Sequence, residues 1–439
     1  MGSTICCARW ADMSLERYLL PPDGADWRSL EAYRQTGGYE AARRALHSLT
    51  SEAVIEEVKA SGLRGRGGAG FGTGQKWSFM PKPGGPKPTF IACNGDESEP
   101  GTFKDRQILE RNPHLLVEGL IITGHAIGAR AAYVYLRGEY VTAFQTLSRA
   151  VEEARAAGLL GSRHGGVERD FDVHLMRGAG AYICGEETGM IESAEGKKGQ
   201  PRKRPPFPAV YGLWGCPTTV NNVETISQVP AIIRRGAAWF KTIGTPTSTG
   251  NTLYGISGHV NRPGVYELPL GTTLREIIEV HAGGVRNGHR LKAVIPGGVS
   301  MPVLSAEQVD VRMDHDSLKQ AGTLLGTGGI VVMDETACMV RAAIVIARFF
   351  RHETCGQCTQ CREGTAWLYK LLRRIEGGQG SAADLVTIEQ IGGYMEGQTI
   401  CALSDAAAWA ATGFLRRFRP EFEAHVSGGR CPLPESFEP

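Results

Sequence analysis

The sequence predicts a mixed α/β protein in three parts: an α/β domain, a small β-grasp-like domain and a C-terminal helical bundle. Three observations predict it. Short β runs alternate with helical stretches between residues 89 and 225. Four short strands and one helix follow between Thr252 and Met333. From Thr336 onward, apolar residues recur at helical spacing. The 439 residues, 42% hydrophobic and 21% charged, have the make-up of an ordinary globular chain of roughly two to four domains.

Residues 1–50 read as an N-terminal helical segment, with short pieces at Leu15–Leu20 and Tyr39–Leu46. Glu52–Ala60 reads as a helix, with Ser51 as its N-cap, early acids and apolar Val54, Ile55 and Val58. It leads into Leu63–Trp77, where six of fifteen residues are glycine. Glycine lets backbone N–H groups converge and lets a ligand approach without meeting a Cβ, so the loop reads as a cradle for a phosphorylated cofactor. Arg64, Arg66 and Lys76 add positive charge there. Gly65, Gly67 and Gly70 also fit G-x-G-x-x-G, but a helix precedes the loop where a dinucleotide site needs a strand, so the usual Rossmann reading fails on context.

The β run Thr89–Asn94 ends in Gly95-Asp96-Glu97-Ser98-Glu99-Pro100-Gly101. Its three carboxylates are consistent either with a solvated turn or with hydrogen bonds to sugar hydroxyls or ring N–H groups. Helix Pro113–Ala129, strand Ala132–Leu136, helix Val141–Ala157 and strand Asp172–Met176 continue the alternation. A second glycine-rich turn, Gly178 to Thr188, carries paired Glu186 and Glu187 at a strand end, where α/β sheets bind ligands. Phe207 and the amides Asn221 and Asn222 offer an aromatic face and polar partners. A composition shift at Thr245–Asn251 reads as a linker, which bounds the α/β domain at 51–245, the β-grasp-like domain at 246–336 and the bundle at 337–439. In the middle domain the strands are Thr252–Ser257, Gly264–Leu268, Leu291–Ile295 and Ile330–Met333, with a helix at Leu274–His281. The bundle has four expected helices, Val340–Phe350, Ala366–Ile375, Ala382–Tyr394 and Asp405–Phe418, with Ser381, Asp384 and Ser404 as capping signals.

A net charge of +2 gives no reason to expect nucleic acid, and the basic run at Lys197-Lys198 and Arg202-Lys203-Arg204 reads as a solvated loop. The best apolar runs, Leu115–Ile122 and Val340–Phe350, are too short for a membrane span and carry Glu118, Arg341 and Arg348. The first residues lack an apolar signal region, and Cys6 stands where a myristoylation motif wants Ser or Thr, so the expectation is a cytoplasmic protein without membrane insertion. Residues 1–12 carry no clear role, and Met13 is an alternative start.

Eleven cysteines without an export signal do not make a disulfide framework. Cys355, Cys358 and Cys361 have the C-x₂-C-x₂-C spacing that wraps one corner of an iron–sulfur cubane; zinc sites come as two separated pairs. A remote fourth ligand is needed, and both Cys401 and Cys431 qualify by spacing. Cys401, just before a capped helix, is the better choice over Cys431 in a Gly/Pro-rich tail. Cys6, Cys7, Cys93, Cys184, Cys216 and Cys338 read as buried small apolar residues. A cradle for an organic cofactor beside a cubane points to electron transfer, and a flavin can accept two electrons together and release them singly.

Gly65–Phe71, Asp96–Gly101, Gly178–Thr188, Asn221–Thr225 and the cysteine run closely resemble the NADH-binding flavoprotein subunits of bacterial respiratory complex I, in the right order over roughly residues 30 to 425. The resemblance implies a Rossmann-like FMN/NADH-binding domain. It implies FMN held by Gly65, Arg66, Gly67, Lys76, Asn94, Asp96, Tyr182, Gly185, Glu186, Asn221, Asn222 and Thr225. It implies NADH as substrate, with adenine among Phe71, Phe79 and Phe207, and with Lys76, Glu99 and Glu187 at ribose and phosphate. Hydride transfer then needs no acid or base from a side chain, only positioning. The resemblance assigns Cys355, Cys358, Cys361 and Cys401 to a [4Fe–4S] cluster. It implies partners in the peripheral arm, including a small thioredoxin-like [2Fe–2S] subunit and a larger iron–sulfur subunit, on the cytoplasmic side of the inner membrane. Departures from the family pattern are Gly72, Gly95 and Gln360, each expected to loosen a loop.

Two other readings stand beside this one. The same module serves as the diaphorase subunit of soluble NAD-linked hydrogenases or formate dehydrogenases; Ser98-Glu99-Pro100 and the lack of an appended thioredoxin-like or ferredoxin-like domain favour complex I. A non-enzymatic subunit with a structural cluster and an empty loop is the other, and a visible spectrum separates it from the flavoprotein.

Overall fold

The computed structural model describes residues 16–82, 84–164 and 167–433. Residues 16–20 form no helix; Leu15 and the N-terminal residues before it lie outside the described residues. The reason is a competing acceptor. The buried Glu267 carboxylate takes the backbone N–H groups of Tyr18, Leu19 and Leu20 at 2.7–3.2 Å, which wraps this piece around one acceptor, with a bend at residues 19–20, and pins it onto the middle of the chain. Helices α1 (Leu30–Gln35), α2 (Glu40–Ser48) and α3 (Ser51–Ala60) follow, and α3 is capped by Thr50 rather than Ser51. The glycine-rich loop then runs into α4 (Thr73–Ser78).

Next come β1 (Thr89–Gly95), α5 (Asp105–Arg111), α6 (Pro113–Ile127), β2 (Ala129–Leu136), α7 (Val141–Ala156), β3 (Gly161–His164), β4 (Val167–Arg177), α8 (Glu187–Ala194), β5 (Thr218–Asn222) and α9 (Val223–Arg235). The strands form one sheet of order β3-β4-β2-β1-β5, parallel except for the β3 edge. Alternate residues of β1 face different cores. Ile91 and Cys93 join α6 and α9, whereas Phe90 and Ala92 join α8 and the C-terminal helices. Helix α6 is buried nearly all round, and its one acid, Glu118, accepts from Tyr33 Oη and the Ala42 amide, so the apolar run is a core helix tied to the N-terminal segment.

After α10 (Ala237–Phe240), the expected linker is a two-stranded hairpin, β6 (Gly244–Thr245) and β7 (Ser248–Thr249). A second sheet follows from β8 (Asn251–Gly258), β9 (Gly264–Pro269), β10 (Leu291–Ile295), β11 (Leu304–Ser305) and β12 (Gly329–Asp334), in the order β11-β10-β12-β8-β9 with only β12 and β8 parallel. It has five strands instead of four, because the two-residue β11 is too short to show as a run. The helix expected at Leu274–His281 is a single α turn, α11 (Leu274–Glu276), continued by a π turn. Helix α12 (His315–Gln320) lies between β11 and β12.

The C-terminal part holds α13 (Met339–Glu353), α14 (Thr359–Glu376), α15 (Ala382–Met395), α16 (Leu403–Arg417) and α17 (Arg419–Gly428), five helices rather than four. Pro420 sits in the first turn of α17, where a missing N–H costs nothing, so proline starts a helix here instead of ending one. Ser381 and Asp384 form a reciprocal capping box as expected, whereas Ser404 lies inside α16 and bonds the Met395 carbonyl. No helix among the described residues is long and apolar enough to cross a membrane.

Replacing Glu267 with Ala would leave three amides of residues 18–20 without their acceptor. Hydrogen exchange should show loss of protection confined to that segment, with α6 and β1 unaffected; unchanged protection at 18–20 would contradict the pinning role.

Candidate functional site

The first sheet runs β1, β2, β4 in one direction and then places β5 on the other side of β1. In parallel sheets the crevice at such a reversal, at the C-terminal ends of the two strands, is where ligands bind. The ends of β1 and β5 carry Asn94, Asp96, Asn221 and Asn222, so the topology gathers four of the expected residues. The glycine loop closes on the same point. Gly65 N donates to Phe71 O and Thr73 N to Leu63 O, both at 2.8 Å, pinching the loop at its neck. The Arg66 amide donates to Thr225 Oγ1 at 2.8 Å, and a Cβ on Gly67 would lie 3.0 Å from that of Asn222. A side chain at Gly67 would have to push Asn222 aside by a few tenths of an ångström.

The Arg66 side chain is partly spent within the chain and keeps Nε and Nη1 buried without a hydrogen-bond partner. The guanidinium is 3% exposed and Nη2 donates to the carbonyls of Thr249 and Asn251, so it fastens the loop to the start of the second sheet. Arg64 likewise turns onto the loop itself, donating to Gly70 O. Lys76 is the cation that stays half-exposed at the site, 3.0 Å from Glu187 Oε2.

The second glycine turn meets the first sheet where Asn94 Nδ2 donates to Gly185 O at 2.8 Å. Glu187 lies between Lys76 and Arg204, whose Nη1 is 2.9 Å from Oε1. Burial works to raise the Glu187 carboxyl, but the two cations outweigh it and hold the group below the usual range. Glu186 spends its Oε2 capping α8 through the amides of Thr188 and Gly189, so the paired glutamates have separate roles. Phe71, Phe79 and Phe207 are 48%, 58% and 57% exposed, and the first two rings lie 6.2 Å apart. Packing does not account for large apolar side chains left this open beside a crevice.

None of the carboxylates of the 96–99 turn is solvated. Glu99 accepts from Tyr182 Oη and from the amide and hydroxyl of Ser300, each at 2.7 Å, so its oxygens are engaged within the chain. Glu97 caps α5 by accepting the amides of Lys104, Asp105 and Arg106. Asp96 accepts from Ser98 at 2.6 Å through Oδ1, while Oδ2 is buried with no hydrogen bond. Burial pushes the Asp96 carboxyl up to about 7, against the Ser98 hydroxyl and Arg137. An orphaned buried acceptor at the mouth of the crevice, with Gly185 packed against its backbone, is what a flavin with ribityl hydroxyls and a ring N–H would satisfy, so these residues fit FMN.

Beneath the crevice lies a group that no motif in the sequence marks. Lys104 is 1% exposed and is paired with Asp105 at 3.3 Å and with Glu224. Glu224 Oε1 accepts Thr252 Oγ1 and the Leu253 amide, and Asp105 Oδ2 accepts Asn222 Nδ2 at 2.5 Å. Burial acts to lower the Lys104 ammonium pKa, but its three carboxylate neighbours prevail and keep it charged. A buried Lys in a run such as Thr-Phe-Lys-Asp has no sequence signal beyond its proximity to the acidic turn.

The four predicted cluster cysteines come together. Cys355 follows the end of α13, Cys358 caps α14, Cys361 is in its first turn and Cys401 precedes α16. Their charges act on one another: Cys401 feels Cys361 and Cys355, and Cys361 feels Cys355 and Cys358. Burial pushes the Cys401 thiol up to about 12, and the four cysteines belong to one packed cluster, a donor set of the kind that holds a cubane. The second glycine turn reaches this end too. Tyr182 N donates to Glu353 Oε2 at 3.1 Å, two residues before Cys355, and Gln200 Nε2 donates to Cys355 O at 3.2 Å. The basic run lines a cleft of about 500 Å³ with Gln357 and Ile400 of the cysteine loops, so it is part of the cluster's surroundings. The other sequence alternative for a fourth ligand, Cys431, lies elsewhere, beside Cys338.

Family profiles match three stretches: "Nuo51 FMN-binding domain" over residues 58–231, "SLBB domain" over 252–332 and "NADH-ubiquinone oxidoreductase-F iron-sulfur binding region" over 341–425. The chain is 54% identical over 411 residues to an F subunit (form 2) of NADH-quinone oxidoreductase from Rhizobium meliloti, an alignment that covers 94% of this chain and 97% of that protein. To the F subunit of NADH-quinone oxidoreductase from Mycobacterium bovis it is 49% identical over 422 residues, covering 95% and 94%. Among solved structures, a crystal structure of an NAD⁺-reducing [NiFe]-hydrogenase in the air-oxidized state superposes with a TM-score of 0.80 at 37% identity, covering 91% of this chain and 67% of that one.

Two measurements check this site. Lys104→Met strands buried carboxylates and should cost about 3–5 kcal/mol in urea unfolding; a loss below about 1 kcal/mol would mean that the ion group is hydrated. Because the folded Asp96 carboxyl sits near 7 and the ordinary value is 3.8, folding takes up a proton in between, so stability falls as pH rises through that window. In flavin-free protein Asp96→Asn should remove the Asp96 share of this slope and leave that of Glu97, whose carboxyl burial also raises to about 7, so its stability relative to wild type should be greater above about pH 7 than at about pH 5. A pH-independent difference would contradict the buried, unsatisfied carboxyl.

Proposed function

The chain belongs to the family of NADH-quinone oxidoreductase F subunits, and from that premise we propose that it is the NADH-oxidising, electron-input subunit of an NADH:quinone oxidoreductase. When bound, FMN supplies acceptance of hydride from NADH and release of single electrons toward a [4Fe–4S] cluster. The remaining work falls to the chain's own residues and is orientation and electrostatics.

The backbone of Gly65, Arg66 and Gly67, fixed by Thr225 and Asn222, cradles the phosphate, with Lys76 as its cation. Asn94, Asp96, Asn221, Tyr182, Gly185 and the backbone of Glu186 hold the remainder of the flavin. Phe71, Phe79 and Phe207 are open for the adenine, and Glu187 stands at the ribose. Glu99 acts through Tyr182, whose hydroxyl it orients. Cys355, Cys358, Cys361 and Cys401 hold the cluster. Division into residues 1–50, 51–245, 246–336 with a β-grasp-like sheet, and 337–439 accords with these roles.

A single feature carries the reading: the turn from Gly178 to Thr188 bonds to the flavin residues through Gly185 and to the cluster loop through Tyr182. Identity of 54% to a quinone-linked relative, against 37% to the hydrogenase chain, favours quinone as the eventual acceptor over a soluble diaphorase. Electrons leave through partner subunits of the peripheral arm, a small thioredoxin-like [2Fe–2S] protein and a larger iron–sulfur protein. The assembly lies on the cytoplasmic side of the inner membrane.

Anaerobic titration of the purified chain with NADH tests this. Flavin absorbance should bleach and a reduced-cluster EPR signal should appear in the same titration; bleaching with no cluster signal would sever the route, and a colourless protein would leave only the scaffold reading. Glu187→Gln removes a negative charge from the ribose side and frees Lys76 and Arg204. It should raise the NADPH-to-NADH ratio of kcat/KM by roughly tenfold, the equivalent of about 1.4 kcal/mol, and an unchanged ratio would remove Glu187 from the nucleotide site.

A further inference from the structure

We propose that Cys338, Glu376, His425 and Cys431 bind one zinc ion, at a structural site separate from the iron–sulfur cysteines. Their ligand atoms all lie within 4.8 Å of one another. They come from distant parts of the helical region: the N-cap of α13, the last residue of α14, the interior of α17 and the segment beyond it. Nothing in the flavin or cluster assignment uses them.

The surroundings are arranged as they are around a bound cation. His425 Nδ1 lies 2.7 Å from the Glu421 carbonyl, which can only accept, so Nδ1 carries a proton and Nε2 is turned toward the group. That nitrogen is 3.4 Å from Cys338 Sγ and 3.3 Å from Glu376 Oε2. Glu376 Oε2 is buried and receives no hydrogen bond, while Oε1 is held by Arg341 Nε at 2.6 Å. A lone pair facing an unsatisfied carboxylate oxygen is repulsive until a metal ion, or a proton on Nε2, lies between them. The backbone amide of Arg341 points at Cys338 Sγ at 3.5 Å as a donor that favours the thiolate, whereas Cys431 Sγ has both the Leu433 amide at 3.4 Å and the Leu433 carbonyl at 3.3 Å. Two thiolates and a carboxylate against a divalent ion leave one negative charge, which Arg341 balances.

Two sulfurs, one imidazole and one carboxylate make a closed tetrahedral set of the kind zinc prefers. Loading displaces the two thiol protons to solvent, and the ion joins α17 and the following segment to the pair α13–α14. Cys358 caps α14 at its opposite end, and α13 spans about 22 Å between Cys338 and the cluster loop, so the two metal sites occupy opposite ends of one helix pair.

The full-length chain, produced with zinc and iron supplied and dialysed against a weak chelator, should contain one zinc per chain in addition to cluster iron and flavin. Cys431→Ser and His425→Gln should each lower zinc at least tenfold with iron and flavin unchanged, and Cys355→Ser should lose iron but keep zinc. X-ray absorption at the zinc edge should show two sulfurs at about 2.3 Å and two lighter ligands at about 2.0–2.2 Å. Wild-type chain without zinc, zinc lost with Cys355→Ser but kept in Cys431→Ser, four sulfur ligands, or a Cys338–Cys431 disulfide by thiol alkylation would each overturn the assignment. Cys431 follows the last helix, so its variant tests the site without disturbing a core residue.

Discussion

One ammonium group, that of Lys104, makes the centre of this molecule possible. Taking a carboxylate out of water costs several kcal/mol unless a charge partner and hydrogen bonds replace the solvent. Here Glu97, Asp105 and Glu224 are all buried around the same cation. Each carboxylate also fixes a second element, since Glu97 caps α5, Asp105 holds Asn222 at the start of α9, and Glu224 reaches across to the first residues of β8. Replacing a buried ion group by aliphatic side chains is often neutral for stability, but aliphatic chains lack the directional bonds by which Asp105 and Glu224 here hold Asn222, Thr252 and Leu253. The crevice is therefore built on an ionic joint and not on apolar packing alone.

From that joint the layout follows. The reversal of strand order opens a gap beside β1, the glycine loop closes over it, and the turn after β4 reaches from the gap to the helices that carry the thiols. Both sheets lend one face to the helical core, since Phe90 and Ala92 of the first and Ala293 and Ile295 of the second pack into it. Electron transfer depends steeply on separation, so centres that are to exchange electrons need supports that do not drift. Shared cores and the bonds of Tyr182 and Glu353 provide such support.

Much of this is legible in the residues. Periodicity locates β1, β2, the second half of β4, four strands of the second sheet and four of the C-terminal helices, and glycine clusters with amides and acids mark the crevice; β5, whose place beside β1 opens that crevice, is not read as a strand. What is not legible depends on distant partners. The bent, non-helical form of residues 16–20 is set by Glu267, about 250 positions away in sequence, and no local pattern reports it. The fate of the acidic turn is undecided in the sequence because Glu97, Asp96 and Glu99 look alike there but differ in what the fold brings to each. Gly95 reads as loosening a loop, yet a Cβ there would lie 2.8 Å from Leu136 Cδ2, so its small size answers a tight contact. Cys338 reads as filler, because only folding reveals that three other ligand-type side chains surround it.

The tip of the glycine loop touches the middle of the chain. Gly70 has φ +63°, and a methyl on it would lie 2.4 Å from the His315 ring on α12. Together with Arg66 on the carbonyls of Thr249 and Asn251, this makes the central unit one wall of the chamber that the glycine loop closes. It follows that this unit is not a cassette to be exchanged among relatives by recombination at its borders. A foreign insert would have to reproduce the shape opposing Gly70 and the two carbonyls, or the chamber would lose a side.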